Sequence, residues 1–143
     1  LSFLDVGYPS TAGLEDVAPV AKRVLRSIPS EVEGDLDAIV VEMGDGIIGR
    51  YGVDTILRDP EFCSWIAAHA MTANDLVAAW GGLRWCREHE LDLDVISGPA
   101  TDNAVGTSYV REVLGVAAAN ARKHGDRFVE LIEEAAFTRS PAR

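Results

Sequence analysis

Residues 36–43, Leu-Asp-Ala-Ile-Val-Val-Glu-Met, are the most restrictive stretch of the chain. They are apolar almost throughout, with β-branched Ile39, Val40 and Val41 at the centre. A run of this length and composition predicts a strand buried on both faces, as in the middle of a parallel sheet flanked by helices. The run ends at Glu42 and passes into Gly44, Gly46 and Gly49, which spell G-x-G-x-x-G. A turn at the carboxyl end of a parallel strand is where α/β proteins hold ligands, so this segment draws attention to function as well as to fold.

The rest of the chain alternates in the way such a sheet requires. An apolar strand is expected at 2–6. Leu14, Val17, Ala18, Ala21, Val24, Leu25 and Ile28 then recur at helical spacing, predicting a helix over 14–28. Pro19 is tolerated only in the first turn, so that helix can start later than Leu14. A short helix follows Val53 and stops before Pro60. Residues 63–70 have the length of a strand. Residues 72–90 read as a helix with an apolar stripe through Leu76, Val77, Ala79, Trp80, Leu83 and Cys86, weakened at Gly81 and Gly82. A strand at 91–97 and helices at 108–123 and 126–136, split at His124 and Gly125, complete the pattern. Four strands alternating with helices predict a three-layer α/β fold with a mainly parallel sheet and helices on both faces. One domain over 1–137 with a polar tail at 138–143 is expected. The turns at 5–11, 42–49, 69–75 and 97–103, rich in Asp, Asn, Ser, Thr and Gly, are then expected at one edge of the sheet.

Composition narrows the function classes. The 143 residues include 23 acidic and 13 basic side chains, a formal net charge of −10. That balance disfavours nucleic acid and anionic membrane surfaces as partners, because phosphate binding needs clustered Lys and Arg. No apolar run approaches the roughly 18 residues of a spanning helix, and the sequence carries no recognisable secretory leader. Cys63 and Cys86 read as reduced thiols of a cytoplasmic protein. The apolar start without Met leads us to expect a portion of a longer protein.

Two chemistries compete for the glycine segment. A dinucleotide fingerprint needs a strand, the glycine turn, a helix N-terminus for pyrophosphate, and an acid about 20 residues on for the ribose. The following residues, Arg-Tyr-Gly-Val-Asp-Thr-Ile-Leu-Arg-Asp-Pro, make a poor helix, and the position for the acid is His69. Glu42 and Asp45 put negative charge where phosphates would sit. The same acids suit Mg²⁺, which prefers hard oxygen ligands. Glu42 and Asp5 are the candidate metal ligands, with Ser10 and Thr11 placed to orient water or phosphate oxygens. Glu42 capping its own turn is the alternative. Cys63, His69, Cys86 and His89 lack the spacing of a zinc site. Trp65, Trp80 and Trp85 read as core or interface residues, and the small residues of the 74–85 helix offer a close-approach face for a homodimer or for a missing N-terminal portion.

Four segments together, "LDVGYPST", "DAIVVEMGDGI", "AHAMTANDLVAAWGG" and "DVISGPATDN", resemble the later half of a P-loop nucleoside-triphosphatase. The likeness is to the branch with dethiobiotin synthetase and the molybdopterin-guanine-dinucleotide adaptor protein, and it covers about residues 1–105. It implies that Asp5 and Glu42 serve Mg²⁺ and the phosphates. The turn containing Thr101, Asp102 and Asn103 would face the base, with Gly44, Asp45, Gly46, Ser10 and Thr11 near the nucleotide. ATP or GTP with Mg²⁺ would be the ligand. The chain departs from that family in having no G-x-x-x-x-G-K-[ST], the loop that cradles the phosphates; it would have to precede residue 1. A Rossmann-type NAD(P)- or flavin-binding domain using Gly44, Gly46 and Gly49 is the first alternative, and a non-catalytic interaction module the second.

Overall fold

A computed structural model describes residues 16–139. These divide between Trp65 and Ile66 into two compact units.

The first unit contains α1 (Ala18–Glu31), α2 (Val53–Leu57) and α3 (Pro60–Ser64). Pro19 does sit in the first turn of α1, where its missing N–H costs nothing. Ala18, Ala21 and Val24 bury one face of α1, and Val53, Ile56, Leu57 and Phe62 are buried beside them in the same unit. Asp59 caps α3 by accepting a hydrogen bond from the Phe62 N–H at 2.8 Å. It also accepts from Lys22 Nζ at 2.7 Å, and Lys22 reaches Glu61 at 2.9 Å. Arg26 pairs with Glu61 and lies 5.2 Å from the Trp65 ring centroid, a cation–π distance. The Lys22 hydrogen bond is the largest cause holding the Asp59 carboxyl below its ordinary range.

Residues 36–43 depart from expectation. They adopt no strand in the structure, and Val40 is 94% exposed. β-branched side chains favour extended backbone, but burial requires neighbouring strands, and ladder pairing is a long-range property that an apolar run alone cannot provide. The sheet contains three strands among the described residues, one fewer than expected; the expected strand at 2–6 lies outside them.

The second unit holds the sheet: β1 (Ala70–Thr72), β2 (Val95–Ser97) and β3 (Ala117–Ala118), parallel and in that order. Ala70 pairs with Val95 and Thr72 with Ser97; Val95 pairs with Ala117 and Ile96 with Ala118. The expected strand at 63–70 is α3 and a connection until β1 begins. A short apolar run does not distinguish helix from strand, and Asp59 followed by Pro60 at the helix start decided it. Helix α4 (Leu76–Glu88) links β1 to β2 and starts at Asp75, whose Oδ1 accepts from the Ala78 N–H at 2.7 Å. Between β2 and β3 the chain makes a 3₁₀ turn (Pro99–Thr101), then α5 (Ala104–Ser108), which runs into a π-helical turn (Tyr109–Leu114). Gly115, at φ 72°, ends it in the left-handed conformation that favours glycine. Here too the sequence expectation fails. Residues 108–123 are not one helix, because the chain leaves helical geometry at Gly115 and enters β3. Helix α6 (Gly125–Arg139) closes the unit.

The pleat of β2 sorts the core. Ile96 and Ala118 pack with Ala79 and Leu83 of α4 and with Val110 and Leu114 of the π-helical turn. Val95 and Ala117 pack with Phe128, Leu131 and Ile132 of α6. Complete burial of Val95 and Ile96 contributes about 1.5–3 kcal/mol each. At the amino ends of the strands, the Asp94 carboxylate accepts from the His69 N–H at 2.7 Å and from Arg139 at 2.8 Å, fastening the end of α6 to the start of β1.

Candidate functional site

Beyond the carboxyl ends of β1, β2 and β3 lies a continuous set of polar side chains. Thr72, Ser97 and Asn120 mark the three strand exits. The chain passes from β2 through Gly98, at φ 86°. A Cβ on Gly98 would meet the Ala73 carbonyl at 2.9 Å, so glycine lets the first and second turns touch. The contact is secured by backbone bonds from Ala73 N to Ser97 O, 3.0 Å, and from Ala100 N to Ala73 O, 2.9 Å.

Asn120 ties the second turn to the third. Its Nδ2 donates to Gly98 O at 3.2 Å and to Asp102 Oδ1 at 2.8 Å. Its Oδ1 accepts from the backbone N–H groups of Arg122 and Lys123, both at 3.1 Å. Ser97, itself buried, accepts through Oγ from the Ala121 N–H at 3.0 Å. Lys123 Nζ donates to Asp102 O at 2.7 Å and lies 3.4 Å from Asp102 Oδ1. The Asp102 side chain is 51% exposed. Its Oδ1 is held by Asn120, while Oδ2 makes no hydrogen bond among the described residues. Chemically this is an oriented carboxylate beside an ammonium, suited to a ligand carrying N–H donors next to an acceptor.

The three residues expected to face a base are therefore brought together, with differing parts to play. Asp102 is available. Thr101 is buried, and its Oγ1 donates to Gly98 O at 2.8 Å. Asn103 caps α5, accepting from the Gly106 N–H at 2.9 Å. Sequence reasoning missed Asn120 and Lys123, since residues 116–120 read as helix. The polar pair of Asn and Lys after an apolar run with Gly115 before it was the available signal for a strand end.

The glycine segment belongs to the first unit. Glu42, Gly44, Asp45 and Gly46 are exposed, with no strand before them, and α2 starts only at Val53 behind Gly52 at φ 81°. The strand and the immediate helix N-terminus that a dinucleotide fingerprint uses do not flank Gly44–Gly49 here. Asp5, Ser10 and Thr11 lie outside the described residues. Among the described residues no three His, Cys, Asp or Glu side chains gather as a metal ion would require. Glu42 by itself does not define a Mg²⁺ site. The Cys86 thiol is pushed up to about 11 by burial, which keeps it protonated and unreactive at neutral pH. No helix among the described residues is long and apolar enough to cross a membrane.

Comparison with protein-family models, with curated proteins and with solved structures gives no significant match. What stands on geometry is the class, a mixed helix-and-strand chain with a small parallel sheet.

Proposed function

We propose that the second unit is the ligand-binding part of a three-layer α/β domain, and that it takes a nucleotide at the carboxyl edge of its sheet. The observation that carries this is the half-exposed Asp102 carboxylate, whose Oδ1 is fixed by Asn120 and lies beside Lys123. Parallel sheets bind ligands at this edge, and a carboxylate beside a cation matches the donor and acceptor pattern of a purine rim. In this proposal Asp102 and Lys123 contact the base, while Thr101, Asn103 and Asn120 hold the wall in place. The likeness to P-loop nucleoside-triphosphatases would make that nucleotide ATP or GTP with Mg²⁺.

A ligand that binds only the native state raises the melting temperature. Mg·ATP, Mg·GTP and NAD⁺ are therefore to be compared by thermal shift on the full chain and on Asp102→Ala. Stabilisation by a nucleoside triphosphate that is lost in Asp102→Ala supports the proposal. Stabilisation by NAD⁺ that is lost in Gly46→Ala replaces it with the Rossmann-type alternative.

A second reading, a non-catalytic interaction module, has an observation in its favour. Every buried side-chain polar atom among the described residues has a hydrogen-bond partner within the chain, so the polar wall is complete without a ligand. Absence of any nucleotide-dependent shift supports that reading.

A further inference from the structure

We draw no further inference here: the strongest candidate, the open depression of about 500 Å³ between α4 and the π-helical turn, with the exposed side chains of Trp80 and Val113 along it, carries none because nothing in the structure shows what covers it.

Discussion

Replacing Asn120 by alanine removes four hydrogen bonds at once. Two go from Nδ2 to Gly98 O and Asp102 Oδ1, and two come to Oδ1 from the N–H groups of Arg122 and Lys123. Not all four count at full value. Gly98 O keeps its bonds from Thr101 N and Thr101 Oγ1, and Asp102, Arg122 and Lys123 are exposed enough to recover water. At about 0.5–1.5 kcal/mol net per bond, discounted for those replacements, Asn120→Ala should cost about 2–3 kcal/mol. Urea unfolding followed by circular dichroism measures this as a lower midpoint with unchanged slope. Asn120→Asp gives an independent sign. It keeps the acceptor for the two backbone N–H groups but sets a second carboxylate beside Asp102, which lies 2.8 Å from the atom replaced. That variant should be destabilised at neutral pH and recover as the pH falls and the carboxyl pair takes up a proton. A loss for Asn120→Ala within about 0.5 kcal/mol, the range of an ordinary surface change, would refute the claim that this side chain holds the two turns together.

Three further outcomes are expected. Gly98→Ala forces a Cβ toward the Ala73 carbonyl at a backbone angle that disfavours side chains, and should lower stability by about 1–3 kcal/mol in the same urea assay. His69 Nδ1–H donates to the Asp92 carbonyl, 2.9 Å away, and burial is the largest cause holding its pKa below 6.5. Because the folded value is the lower one, the unfolded chain takes up the proton first. Its contribution is complete above 6.5 and is lost as the pH falls from there through the folded value, so His69→Gln should flatten stability against pH in that window. Asp59 is depressed from 3.8, with the Lys22 hydrogen bond the leading cause. Its contribution is present above 3.8 and lost as the pH falls through the lowered value. Carboxyl-carbon NMR should show Asp59 titrating below 3.8, moving upward in Lys22→Met.

The elements written in the sequence by local rules are those the structure keeps. Pro19 placed the start of α1, and half of the expected stripe, Ala79, Leu83 and Cys86, is the buried side of α4, whereas Val77 and Trp80 of that stripe are exposed and the helix starts at the Asp75 cap rather than at 72. Val95 and Ile96 were legible as strand because an apolar pair between Asp94 and Gly98 can do little else. Strand β3 was not legible. Two alanines carry no periodicity, and alanine has the highest intrinsic helix propensity, so only the left-handed Gly115 marked the break. The opposite error arose at 36–43, where composition favoured a buried strand and the described ladder supplies no neighbour. Asp102 was named in advance because it lies on the turn after a readable strand and because the likeness to P-loop nucleoside-triphosphatases sets that turn against the base. Its partners Asn120 and Lys123 follow the strand that could not be read, so the sequence disclosed one side of the wall and concealed the other.

The central claim is that the carboxyl edge of the sheet binds a nucleotide. An ¹H–¹⁵N correlation titration of the full chain with Mg·ATP and Mg·GTP tests it residue by residue. The account predicts saturable shifts at Gly98, Thr101–Asn103 and Asn120–Lys123, abolished in Asp102→Ala while that variant keeps the unliganded spectrum elsewhere. Millimolar nucleotide that leaves these amides unmoved, or that moves only amides remote from them, would contradict it.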